Sequence, residues 1–121
     1  METLSASEAL KYIEQNAGKH KLSCLDIDAS GFSFENGEKK ITDITFINGR
    51  MNISTIIIVK SGGDRFFKFT DIGTPDYMKG TAKHISSEFL DETHYYFYIT
   101  KENLDAWMEY VRRIKALYFH I

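Results

Sequence analysis

The sequence predicts a single α+β domain: an antiparallel five- to six-stranded sheet with N-terminal, middle and C-terminal helices packed on it in two layers. Three observations carry that expectation. Residues 53–69, ISTIIIVKSGGDRFFKF, join a β-branched strand to an aromatic strand through Gly62-Gly63. Runs of strand-forming residues at about 21–27, 30–35, 39–47, 52–60 and 65–70 follow one another with turn residues between them. Apolar stripes at helical spacing stand before this block and after it.

The first stripe has a defined start. Ser5 and Glu8 have the S-x-x-E spacing of a capping box, in which hydroxyl and carboxylate each accept an amide proton of the first turn. Ala6, Ala9, Leu10, Ile13 and Ala17 then share a face, Lys11, Glu14 and Lys19 face solvent, and Gly18 is placed to end the helix. Among the strands, Asn36-Gly37 and Asn48-Gly49 signal tight reversals, so the order expected is an antiparallel meander. Phe32 and Phe34 share one face of their strand, and Ile44 and Phe46 one face of theirs.

In the central hairpin, a two-residue turn at Gly62-Gly63 would set Lys60 opposite Arg65, a like-charge contact. A three-residue loop, Gly62-Gly63-Asp64, avoids it and sets Val59 opposite Phe67 and Ile57 opposite Phe69. That register makes Ile53, Ile57, Val59, Phe67 and Phe69 the main core face. Thr74-Pro75 opens the middle helix, with a stripe of Met78, Ala82, Ile85 and Phe89; Gly80 inside it costs about 1 kcal/mol relative to Ala. Thr93–Ile99 reads as a last strand in which Tyr95, Phe97 and Ile99 alternate with His94, Tyr96 and Tyr98. Thr100 caps a C-terminal helix to about Tyr118. Leu104, Trp107, Met108, Val111, Ile114 and Tyr118 line one side of it, and Lys101, Asp105, Glu109, Arg112 and Arg113 the other.

The chain of 121 residues makes one domain, 1–121, and buries enough surface to need no metal or disulfide staple. Cys24 is the one cysteine, which excludes an internal disulfide and suits a reducing cytoplasm. The N-terminus lacks the basic and apolar regions of a signal peptide, and the longest apolar run, Ile56–Val59, is too short to span a bilayer. A net charge of −2 argues against general nucleic-acid binding.

Candidate chemistry is sparse. Asp26-Ile-Asp28-Ala-Ser30-Gly31 begins like a calcium loop, but position twelve is Gly37, where a bidentate Glu is needed. His20, His84, His94 and His120 show no ligand spacing and no Cys partner, so no metal site is read. Cys24 sits in the apolar run KLSCLDI, which reads as a buried structural thiol. Ser61-Gly62-Gly63-Asp64 lacks the P-loop pattern and joins two strands. No catalytic residue and no cofactor follow. Two binding features remain. Asp71, Asp76, Glu88, Asp91 and Glu92 cluster on the middle helix and its flanks and suit a basic partner. Tyr77, Tyr96 and Tyr98 form an aromatic set, in which Tyr96 and Tyr98 point away from Phe97 and belong to an interface if nothing covers them.

The final strand followed by ENLDAWMEYVRRI, with Trp107, resembles the closing helix of a pleckstrin-homology-like barrel. That resemblance implies an alternative fold and a small-ligand or lipid-binding role, although the basic β1–β2 loop of such domains is replaced here by Asp28-Ala-Ser-Gly. In size, charge and absence of catalytic motifs the whole chain resembles the immunity proteins that neutralise bacterial polymorphic or contact-dependent toxins. This implies a cytoplasmic, non-catalytic protein that binds a toxin domain, often a basic one. An enzyme built on Asp26, Asp28 and a histidine is the third reading, and it requires those groups to converge.

Overall fold

A computed structural model of the protein describes residues 2–69 and 96–118, apart from the side chains of Glu35, Ser61 and Phe69. The middle helix, its acidic flanks and the start of the last strand lie outside the described residues. Helix α1 (Ala6–Asn16) begins as its sequence specifies. The Ser5 hydroxyl accepts the Glu8 amide at 3.2 Å, and the Glu8 carboxylate accepts the Ser5 amide at 2.9 Å. These bonds favour the charged carboxylate and hold Glu8 below its ordinary pKa. Gly18 does not end the helix. The chain tightens into a 3₁₀ turn, Ala17–His20, and stops at Lys21 in the left-handed region (φ 57°). This continuation keeps Ala17 in the core and brings Leu22 back to it through a bond from the Leu22 amide to the Ala17 carbonyl.

Residues 21–27 are not a strand. The Ser23 hydroxyl accepts the Leu25 amide at 3.2 Å and closes a second 3₁₀ turn, Cys24–Asp26. Cys24 is consequently exposed rather than buried. The two strands expected at 21–27 and 30–35 are replaced by one, β1 (Ile27–Glu35), followed by β2 (Glu38–Asn48), β3 (Met51–Ser61), β4 (Asp64–Phe69) and β5 (Phe97–Tyr98). All neighbours are antiparallel and the order is β1-β2-β3-β4-β5, the expected meander. The two ends of that order do not meet, so the sheet is open and the barrel alternative is set aside.

The β3–β4 register differs from the expected one. Val59 stands opposite Phe66, Lys60 opposite Arg65 and Ser61 opposite Asp64. The reversal is therefore the two-residue turn Gly62-Gly63, with φ +60° and +90°. Two positive φ values give a type I′ turn, whose twist matches the flanking strands, and this outweighs the like-charge contact. The core face also differs, because β3 carries a bulge. Phe46 pairs with Ser54 and Ile47 with Asn52, leaving Ile53 extra. Ile53 is buried together with Ser54 and Ile56, while Ile57 and Val59 turn to the opposite face and are half-buried.

Both helices cover one face. Ala9 and Ile13 of α1 and Leu104, Trp107, Met108 and Val111 of α2 (Lys101–Tyr118) pack in one cluster with Ile44, Phe46, Ile56, Phe67 and Phe97. The Thr100 hydroxyl accepts the Asn103 amide at 3.2 Å, as its capping position requires. The expected α2 stripe holds through Ile114, which is partly buried against the core, but Tyr118 is exposed. Trp107 packs on Phe46 with ring centroids 5.1 Å apart, and its indole N–H donates to the Ser54 hydroxyl at 3.0 Å. Ser54 thus places a polar acceptor in an apolar core for one buried donor.

Candidate partner-binding site

Of the residues singled out from sequence, Asp71, Asp76, Tyr77, Glu88, Asp91 and Glu92 lie outside the described residues. Tyr96 and Tyr98 are on the sheet face away from the helices, as the alternation with Phe97 implies. Tyr96 is only 1% exposed there and packs with Phe66; Tyr98 is half-buried, its ring 4.6 Å from that of Phe66. The Lys68 ammonium lies 5.8 Å from the Tyr96 ring centre.

The largest exposed aromatic surface among the described residues is elsewhere, on β1. Among the described residues this strand is an edge of the sheet and pairs only with β2. Ile27 stands opposite Phe46 and Ala29 opposite Ile44, so those two face the helices, and Phe32 and Phe34 face the other way. Phe32 is 52% and Phe34 73% exposed. The Lys39 ammonium sits 3.8 Å from the Phe32 ring centre, and Ile41 pairs with Phe32 across the ladder. Gly31 precedes the aromatic pair with φ +66°, and a Cβ there would stand 2.4 Å from the Thr42 hydroxyl. Glycine is thus needed both for the backbone angle and for close approach. Leu25, in the turn that leads into β1, is 87% exposed. The sequence signal for this surface is FSFENG, two aromatics on one face beside a tight reversal. Pattern alone could place them together but could not show that their strand is an edge.

A polar network ties α1 and the turn after it to α2. The Tyr12 hydroxyl donates to Asp105 at 2.8 Å. His20 Nε2 lies 3.2 Å from Asp105 and its Nδ1 3.4 Å from Glu109. Glu109 also accepts from Arg112 Nε at 2.9 Å and lies 3.8 Å from Arg113. The Arg112 bond is the main cause that draws the Glu109 carboxyl down to about 2, with His20 adding to it against the opposing effect of burial. Burial, then the bond to Asp105, pushes the Tyr12 phenol up to about 12. Both ring nitrogens of His20 are engaged by carboxylates, so the imidazole is a clamp between elements. Asp26 has a different partner, Lys115, at 3.6 Å, and Asp28 stands in β1 opposite Thr45. Asp26, Asp28 and His20 thus each have a separate structural place, and His84, His94 and His120 lie outside the described residues. Among the described residues no group of three His, Cys, Asp or Glu side chains is placed to hold a metal ion.

Two concavities border α1. One is a cleft of about 140 Å³ between the start of α1 and strands β2, β3 and β4. The other is an open depression lined by residues that include Glu2, Glu8, Lys101 and Glu102. Neither is an enclosed apolar pocket. No described helix is long and apolar enough to cross a membrane. No protein-family model, curated protein or solved structure matches the chain.

Proposed function

We propose that this protein is a non-catalytic protein-binding module, an immunity protein that neutralises a cognate toxin by direct binding. The observation that supports the reading most is the exposed Phe32–Phe34 pair on the open edge strand β1. An edge strand offers unpaired backbone groups to a strand of another chain, and proteins normally blunt such edges with charge or cover. Here the edge carries two aromatic rings, the side-chain class that anchors interfaces. The acidic residues Asp71, Asp76, Glu88, Asp91 and Glu92 would add steering towards a basic toxin domain.

The test is direct titration of the purified protein with any toxin domain found encoded beside its gene, together with protection of cells that express that toxin. Phe32→Ala with Phe34→Ala is expected to weaken the complex by about a hundredfold or more, the scale of two interface anchors. The same variant keeps its urea midpoint, since both rings are exposed. Asp76→Lys with Glu88→Lys is expected to slow association and to lessen its salt dependence. Absence of both a complex and protection would overturn the reading. A complex indifferent to the Phe pair would move the interface off β1.

A further inference from the structure

The cleft beside α1 is formed where the sheet comes apart. β2 and β3 pair from Asp43↔Ile57 to Asn48↔Met51. Beyond Asp43 and Ile57, β1 still pairs with β2 as far as Glu35↔Glu38, and β3 with β4 as far as Ser61↔Asp64. The two hairpins therefore diverge, and the gap between them is lined by Lys40 from one and by Lys60 and Arg65 from the other. Ser7, Ser33 and Thr42 also line it, and among the described residues no Asp or Glu does.

The charge arrangement is unfavourable without a counter-ion. Lys60 and Arg65 are a directly opposed cross-strand pair, and neither makes an ion pair among the described residues. Continuing the β2–β3 register sets Lys40 beside Lys60. Only Lys40 has a partner, Glu38 at 2.7 Å. Glu8 feels the charge of Arg65, but its carboxylate is occupied by the Ser5 amide, outside the lining. Among the described residues, two positive charges remain without an ion pair, which matches a dianion. The volume is close to the ~150 Å³ of a cavity that holds one benzene, so the group bound is small. The cap of α1 is closed by its own side chains, so the helix end is a border of the cleft and the three cations are what would hold the ligand. Guanidinium and ammonium donors arriving from separate strands can each reach a different oxygen of one tetrahedral oxyanion.

We infer that the cleft between the diverging hairpins binds a phosphate dianion, free or as a monoester, through Lys60, Arg65 and Lys40. This site is independent of the protein-binding reading.

The test is a ¹H–¹⁵N titration of the full chain with sodium phosphate at pH 7.5, with ionic strength held constant by sodium chloride. Saturable shifts of the Ser7, Thr42, Lys60 and Arg65 amides are expected. Lys60→Ala with Arg65→Ala is expected to weaken binding about tenfold or more, the scale of one lost charge-assisted bond. Lys11→Ala with Lys19→Ala removes the same charge from the exposed side of α1 and the turn after it, and is expected to leave binding intact. Should the double variant not fold, Lys60→Gln, on an exposed side chain, makes the comparison at one charge. Glycerol phosphate in a parallel titration separates the sources: binding admits the ester, and failure beside bound phosphate assigns the free ion. Equal binding of acetate, unsaturable shifts, or equal losses in the two double variants would overturn the inference.

Discussion

The two ends of the β2–β3 pair differ in pairing and in the side chains on their helical face. At the Asn48–Met51 end the strands stay paired beneath Trp107, with Phe46 and Ser54 opposite one another and Ile53 bulged into the core. Beyond Asp43 and Ile57 they part around Lys40, Lys60 and Arg65. Apolar side chains packed under α2 lie at the paired end of the β2–β3 ladder, and Lys40, Lys60 and Arg65 lie where it parts. The contrast also separates stability from binding, since the closed end holds the fold and the open end leaves donors free.

The largest effect expected lies at the closed end. Trp107→Ala removes the ring packed on Phe46 and leaves the Ser54 hydroxyl buried without its donor. A loss of about 3–5 kcal/mol is expected from the cavity alone. Urea unfolding checks it, and a loss below about 1 kcal/mol would mean that the closed end is not what holds the strands together.

How much of this contrast was legible follows from where its determinants lie. The α1 cap could be read because Ser5 and Glu8 are three residues apart, and the α2 stripe because its period is local. The Ile53 bulge could not, since it answers to Phe46 across the ladder and to Trp107 fifty-three residues away from Ser54. The same limit explains Cys24, where an apolar run suggested a strand and one Ser23 hydroxyl bond made a turn. The register at Gly62-Gly63 differs from expectation for another reason. The cross-strand charge pair is a cost, but the turn twist decides the pairing and leaves that cost in place. The cationic cleft includes the same pair. The Phe32–Phe34 surface needed knowledge of sheet order, which no local pattern carries.

A smaller effect of the opposite sign is expected at the open end. Lys60→Ala removes one of two cations that face each other. Opposed like charges destabilise by roughly 0.2–1 kcal/mol, so a gain of a few tenths is expected at low salt. The gain should fade in about 1 M salt, where the screening length is about 3 Å. Unfolding by urea in chloride buffer measures it. A loss above about 1 kcal/mol would show that Lys60 is held by packing, and the contrast between the two ends would fail.

The smallest effect tests whether charge also contributes near the closed end. Glu109 is about one-third exposed and joins His20 to Arg112, bridging the turn after α1 to α2. Its folded pKa, about 2, is below the unfolded value of about 4.3. A depressed carboxyl contributes stability that is complete above the unfolded value and is lost as pH falls through the folded one. The window is therefore about pH 4.5 down to 2. Screening at this exposure limits the contribution to under about 1 kcal/mol. Glu109→Gln is expected to lower the urea midpoint slightly at pH 7 and to leave less pH dependence between 4.5 and 2 than the parent protein shows. Identical slopes in the two proteins would mean that the clamp adds nothing to the fold, and that the closed end is held by Trp107 and its apolar neighbours alone.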